Sequence, residues 1–201
     1  MAEGQQAGVR ADALAIRRGS RLLFENLSFA AKAGDYLEVR GANGAGKTSL
    51  LRAIAGFLSP SGGGIAFDNV EEPALWLHYV GHLNGLKGNV SPRAHMRYWA
   101  GLFGGGGSID DAASKLGVLA LLDLPARVLS QGQQRRVALT RLLIAPRAVW
   151  LLDEPGAALD SAGRGIVADI ISSHCAGGGV VLAAVHEPLG PTPAHIITVG
   201  A

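Results

Sequence analysis

Only one cysteine, Cys175, stands in the 201 residues. No intrachain disulfide framework can be built from it, and a reducing compartment suits the chain. Long apolar runs are missing as well. The longest, Val180 to Val185 and Ala148 to Leu152, are five or six residues long, whereas a membrane-spanning helix needs about 20, so the chain is not expected to cross a bilayer by itself. Met1 to Arg10 is polar, with no apolar stretch; it does not read as a secretory signal and is expected to be a frayed tail. Charge of one sign is scarce too: the formal net charge is +2, and Lys and Arg are scattered. Nothing in that distribution argues for nucleic acid as a partner. Material for a core is plentiful, with 48% hydrophobic and 17% charged residues. That amount suits one domain of ordinary size and excludes general disorder.

Three short apolar runs set the fold class. Tyr36 to Arg40 alternates and ends at a glycine loop, Val149 to Leu152 is continuously apolar, and Val180 to Val185 follows three glycines. Such runs are the mark of strands buried on both faces, as in a parallel sheet covered by helices. Helical patterns lie between them, at Ser49 to Phe57, Gln133 to Leu143 and Arg164 to His174. Ala13 to Ile16, Leu22 to Ala30 and Gly64 to Asn69 read as short strands of an antiparallel edge sheet. Between Asn84 and Leu129 the pattern becomes amphipathic helix, over Arg93 to Phe103 and Ile109 to Leu121, and reads as a helical insertion. Gly104 to Gly107 interrupt it, as a hinge or as a shortened surface loop. The expected organisation is one α/β domain over residues 1–201. A mainly parallel core with an antiparallel β subdomain takes 11–83 and 145–201, a helical subdomain takes 84–144, and 1–10 form a flexible tail.

Gly41-Ala42-Asn43-Gly44-Ala45-Gly46-Lys47-Thr48 matches the phosphate-binding pattern G-x-x-x-x-G-K-[ST], between an expected strand and an expected helix whose first turn includes Ser49. Glycines let backbone N–H groups curl round a β-phosphate, and the helix N-terminus adds positive potential. Lys47 reaches the β- and γ-phosphates, and the Thr48 hydroxyl ligates Mg²⁺. Asp153 and Glu154 end the apolar run from Val149, at the strand edge where open α/β sheets bind ligands. Strand ends often carry merely solvated acids, but paired with the phosphate loop this is a Walker B pattern. It assigns Asp153 to Mg²⁺ and Glu154 to accepting the attacking water's proton.

Leu129-Ser130-Gln131-Gly132-Gln133 resembles LSGGQ, the signature of ATP-binding cassette (ABC) ATPases, although Ser130 is by itself also a natural helix N-cap. The resemblance implies a P-loop NTPase core of ABC type. It also implies that Ser130, Gly132 and Gln133 of one copy face the γ-phosphate held by the loop of another, so that two copies enclose two ATP molecules head to tail. Ala158-Leu159-Asp160 resembles the D-loop that lies across that interface. His186, which alone would read as polar surface, resembles the switch histidine that contacts the γ-phosphate and orients water.

Two positions depart from the family pattern. His82 stands where a Mg²⁺-sensing glutamine that touches the membrane partner is expected; a histidine can still bond water or a metal. The aromatic residue that usually stacks on adenine is absent, and Arg18 offers either a guanidinium plane for the base or a solvent-facing charge. Gly81 to Lys87 (G-H-x-x-G-L-K), Gln131 to Leu139 and the small size resemble the ATP-binding subunits of haem exporters in bacterial cytochrome c maturation. That resemblance implies a peripheral ATPase at the cytoplasmic face of the inner membrane, paired with itself and with integral membrane subunits. Hydrolysis would serve haem delivery or release of a haem-loaded chaperone. Direct haem binding is not expected, because His174 and Cys175 are neighbours on a helix and face different directions. Three readings stand beside this one: a cassette for another cargo, a soluble non-transport cassette ATPase, and a nucleotide-regulated clamp that hydrolyses poorly.

Overall fold

The structure, a computed structural model, describes residues 7–68 and 72–200. Residues 1–6 of the expected tail and Asn69 of an expected strand lie outside the described residues. The chain begins with a long hairpin of β1 (Gly8–Arg18) and β2 (Arg21–Ala31). Residues 8–10, expected in the tail, belong to β1 instead: Val9 is buried and pairs with Ala31 and Phe67. Within β1 the buried apolar side chains are Val9, Ala11, Leu14 and Ile16, a skip from odd to even numbers. A bulge at Ala13 (φ 46°) absorbs the skip, which is why period-two alternation picks out only the strand's second half. After β3 (Tyr36–Arg40) and α1 (Lys47–Ile54), β4 (Gly62–Asp68) returns to the free edge of β1. The three strands form the expected antiparallel sheet, in the order β2-β1-β4.

The helix α2 (Pro73–Trp76) leads into β5 (Leu77–Val80). Helices α3 (Pro92–Phe103), α4 (Ile109–Lys115), α5 (Gln131–Leu139) and α6 (Arg141–Ile144) follow. The chain closes with β6 (Val149–Asp153), α7 (Ser161–Ala176), β7 (Val180–Ala184) and β8 (His195–Thr198). The central sheet has the order β5-β6-β7-β3-β8 with every pairing parallel.

Each face of that sheet owns a core. Trp150, Leu152, Val181 and Ala183 pack with Val167 and Ile171 of α7 and with Met96, Leu116, Val137 and Leu142 of the helical region. Val149, Leu151, Val180 and Leu182 point the other way, onto Leu50, Leu51 and Ile54 of α1 and onto Val9, Leu14 and Ile16 of the antiparallel sheet. Each such side chain contributes about 1.5–3 kcal/mol on leaving water, so the sheet is clamped from both sides and its strand ends are rigid supports.

Helix limits differ from the sequence reading for local reasons. The helix expected over Gln133 to Leu143 is two, because the Thr140 hydroxyl and N–H both donate to the Val137 carbonyl and tighten the chain there. The stretch Ile109 to Leu121 stops being α-helical at Lys115, and Gly117 follows in the left-handed region at φ 62°. Gly104 to Gly107 form the shortened surface loop between α3 and α4, and it is pinned: Gly107 N–H donates to the Ile144 carbonyl at 2.9 Å, and a Cβ on Gly105 would come within 2.4 Å of that oxygen.

Candidate active site

Three neighbouring strands, β6, β7 and β3, deliver the chemistry from their C-terminal ends. β3 runs into the Gly41–Thr48 loop, β6 ends at Asp153, and the chain leaving β7 carries His186. The phosphate loop is held open by its glycines, with Gly46 at φ 113° as the residue that caps α1. Lys47 is nearly buried, and its Nζ donates to the carbonyls of Gly41 (2.8 Å) and Ala42 (3.3 Å). An incoming phosphate oxygen would replace those two neutral acceptors with a charged one.

Thr48 Oγ1 donates to Asp153, at 2.9 Å from Oδ2 and 3.1 Å from Oδ1. Burial raises the Asp153 carboxyl above the ordinary range and the neighbouring Glu154 adds to the effect, while the Thr48 hydroxyl opposes it. A hydroxyl against a carboxylate, both oxygen donors, beside a phosphate loop is a fitting pair for Mg²⁺, which keeps several waters and needs few protein ligands. Among the described residues no cluster of three or more His, Cys, Asp and Glu competes as a metal site.

Glu154 has φ 53°, a left-handed backbone that costs a non-glycine residue on the order of 1–3 kcal/mol and recurs at functional sites. Its N–H donates to the Ala184 carbonyl at 2.9 Å, which fixes the side chain's aim. His186 Nε2 lies 2.8 Å from Glu154 Oε1, and His82 Nδ1 lies 3.5 Å from Oε2. Two imidazoles therefore bracket one carboxylate. The loop carrying His186 is anchored in turn: Arg164 bonds Glu187 (3.0 Å) and the Pro188 carbonyl (2.9 Å), and buried Glu38 accepts from Leu189 N–H (3.4 Å).

A cleft of about 870 Å³ runs over the loop, lined by Ala42, Asn43, Gly44, Gly46, Lys47, Thr48, Ser49, Glu154, His186 and Arg18 among others. Gly41 and Ala45 are not part of that lining. A Cβ on Gly41 would stand 2.5 Å from the Val199 carbonyl, and Ala45 is buried. Arg17, Arg21 and Arg52 also line the cleft and were not singled out from sequence, nor was Phe57, its exposed aromatic ring. Arg17 and Arg21 flank the same turn as Arg18, so the clustering was visible; Arg52 and Phe57 needed the turn of α1. With Lys47 the lining has five cations against the single carboxylate of Glu154, a balance suited to a polyphosphate.

The signature residues are elsewhere. Ser130, Gly132, Gln133 and Asp160 are not part of the cleft's lining. Ser130 caps α5 in a reciprocal box with Gln133: its Oγ accepts from Gln133 N–H at 3.2 Å, and Gln133 Oε1 accepts from Ser130 N–H at 2.9 Å. Asp160 caps α7, accepting from Gly163 N–H at 2.8 Å. His174 and Cys175 are engaged internally. The His174 ring stacks on Trp150 with centroids 3.7 Å apart, and Cys175 Sγ lies 3.6 Å from the Asp35 carbonyl, with burial pushing the thiol up to about 11.

The family model of the ABC transporter matches residues 24–157. The chain is 43% identical over 190 residues to the cytochrome c biogenesis ATP-binding export protein CcmA of Rhizobium johnstonii, covering 90% of this chain and 88% of that one. It is also 43% identical over 187 residues to the protein of that name from Hyphomonas neptunium, covering 92% and 94%. Among solved structures, a putative ABC transporter ATP-binding protein from Pyrococcus furiosus superposes with a TM-score of 0.83 at 23% identity, over 96% of this chain and 97% of that one. A bacterial Atm1-family ABC exporter with ATP bound gives 0.81 at 21% identity, over 96% of this chain and 37% of the exporter. At those identities the superpositions speak for the fold.

Proposed function

The chain belongs to the ABC transporter family, and from that premise we propose that it is the ATP-hydrolysing subunit of a haem exporter serving cytochrome c biogenesis. The observation that carries the enzymatic part is the meeting of Lys47, the Thr48–Asp153 pair and the His186–Glu154 pair at one edge of the parallel sheet. The cargo is supported by the 43% identity to relatives named for cytochrome c biogenesis export.

In this reading the loop amides and Lys47 hold the β- and γ-phosphates of ATP, and Arg18 lies over the base. Thr48 and Asp153 hold Mg²⁺, which when bound neutralises charge developing on the phosphate oxygens. Glu154 takes the proton from water as its oxygen attacks the γ-phosphorus and the bond to ADP breaks, and His186 holds the carboxylate in line. His82 approaches the same carboxylate in the place of the family's glutamine. Ser130, Gly132 and Gln133 lie outside the cleft; in this reading, as the resemblance to the ABC signature implies, the same residues of a second copy, head to tail, supply donors to the far side of the γ-phosphate, with Asp160 at the interface. No helix among the described residues is long and apolar enough to cross a membrane. The chain works at the cytoplasmic face of the inner membrane on integral subunits of the cytochrome maturation system.

Purifying Glu154→Gln from membranes tests this. The variant is expected to retain ATP, lose hydrolysis and bring integral cytochrome-maturation subunits with it. Recovery without those subunits sinks the cargo assignment, and sustained hydrolysis sinks the assigned base.

A further inference from the structure

Arg135, at the start of the second turn of α5, is 3% exposed. Among the described residues no carboxylate pairs with it. Nη1 donates to the Gly81 carbonyl (2.8 Å) and to Asn84 Oδ1 (3.3 Å), and Nη2 donates to the Asp153 carbonyl (2.6 Å). Its buried Nε has no hydrogen-bond partner among the described residues. Burial lowers its pKa to about 10, with Asp153 and Glu154 pulling the other way. Burying a charge on neutral acceptors is expensive, and an apolar side chain would pack the same space at lower cost. The acceptors explain what the fork does there. One is the last carbonyl of β6, directly before Glu154; the other two flank His82 and Leu83.

The helix that bears Arg135 begins at Gln131, just after Ser130, and includes Gly132 three residues earlier, about one turn away. Arg141, on the next helix, adds a bond from Nη2 to the Asn84 carbonyl at 2.9 Å, its guanidinium lying 4.3 Å over the Trp99 ring. Asn84 is thus held by one arginine at its side chain and by another at its backbone.

We propose that Arg135 is a positioning residue that ties the signature helix to the end of β6 and to the His82 loop, so that one guanidinium sets both the presentation of Ser130 and Gly132 to the neighbouring copy and the aim of Glu154. The proposal rests on the reading of Glu154 as the base. A planar fork with several donors is needed to reach acceptors on two separate segments, and an ammonium cannot span them equally well. When the signature meets the neighbour's nucleotide, the shift in α5 travels through the fork to the carbonyl next to Glu154. ATP binding by the phosphate loop does not pass through Arg135.

The test is steady-state ATP hydrolysis and ATP binding in the membrane-assembled complex, with Arg135→Gln, Arg135→Lys, Asn84→Ala and Glu154→Gln. For Arg135→Gln, ATP affinity stays within about twofold while kcat falls about ten- to a hundredfold, the loss a misplacement of about 1 Å brings. Arg135→Lys recovers part of that kcat. Wild-type kcat in Arg135→Gln overturns the proposal, as does a loss of ATP binding that tracks the loss of turnover, the signature of a residue that merely props up the core. Should Arg135→Gln fail to fold, Asn84→Ala decides: it removes one acceptor and must lower kcat at unchanged ATP affinity, and an unchanged kcat overturns the link. Glu154→Gln separates the two readings. If it keeps wild-type turnover, the assignment of the base has failed; if it is inactive while Arg135→Gln is normal, only the link has.

Discussion

Gly132→Ala places a methyl group in a narrow gap between the signature helix and the D-loop. A Cβ at Gly132 would stand 2.6 Å from the Ala158 carbonyl oxygen, where ordinary contact begins at 3.4 Å. Helix and loop must therefore part by about 0.8 Å, a deformation of the kind that costs roughly 1–3 kcal/mol. The loop has little slack, because Ala158 is already in the left-handed region at φ 60°. Helix propensity returns up to about 1 kcal/mol for glycine to alanine, so the net loss is a small part of a typical stability of about 5–15 kcal/mol and the variant folds. Function suffers more. Moving phosphate donors by most of an ångström is expected to lower kcat by up to about a hundredfold, while ATP affinity, set at the phosphate loop, changes little. Hydrolysis by the membrane-assembled complex reads this out against Gly165→Ala, a helix glycine whose Cβ would meet nothing within 4 Å. If Gly132→Ala turns over as fast as Gly165→Ala, the close approach of signature and D-loop has no catalytic weight and the reasoning fails.

Gly105→Ala is expected to lower stability in urea by about 1–3 kcal/mol, since its Cβ would meet the Ile144 carbonyl at 2.4 Å and the Ala145 Cβ at 2.8 Å. Gly106→Ala, with nothing within 4 Å, should stay within about 0.5 kcal/mol; equal effects would return the glycine run to a free loop. Acid should weaken the fold through His78, whose ring is buried with Nε2 2.6 Å from the Ala145 carbonyl and whose pKa burial lowers to about 4. The unfolded chain, with an ordinary histidine near 6.5, binds the proton more readily. Stability therefore falls as pH drops from about 6.5 toward 4, by about 2 kcal/mol at pH 5. Urea midpoints at pH 8 and pH 5 should differ less in His78→Gln than in the unsubstituted chain, and parallel pH slopes would show that this imidazole is not the cause.

What could be read from sequence was whatever is contiguous in the chain. The phosphate loop, the Asp153–Glu154 pair and the LSQGQ stretch each fall in one segment, and the apolar runs of β6 and β7 announce buried strands because all five residues of each are buried. β5 was not legible. Its four residues include His78, which looks like a surface residue until the Ala145 carbonyl and the Phe103 ring are found around it. β8 hides for the opposite reason: only Ile197 among its four residues is buried, so it shows no pattern. Arg135 reads as a solvated charge on a polar helix, and only the tertiary fold brings Gly81, Asn84 and Asp153 to it. The skip in β1 and the break at Thr140 are likewise set by single side chains and single carbonyls that no periodicity reports.

The charge balance of the cleft bears on why one copy alone should turn over slowly. Arg17, Arg18, Arg21, Lys47 and Arg52 face a single carboxylate, Glu154, so a nucleoside triphosphate is attracted strongly before any second copy arrives. Attraction of the ground state does not accelerate hydrolysis; only donors that tighten as charge shifts in the transition state do so. On the proposed reading those donors include the first amides of α5, which lack partners within the helix and lie outside this cleft. Binding and turnover are then separable in the sequence itself, with the phosphate loop and its arginines governing the first and Ser130, Gly132 and the Arg135 link governing the second. On that reading a copy whose γ-phosphate is open on its far side binds ATP but turns over slowly, and hydrolysis quickens when a neighbouring copy closes that side.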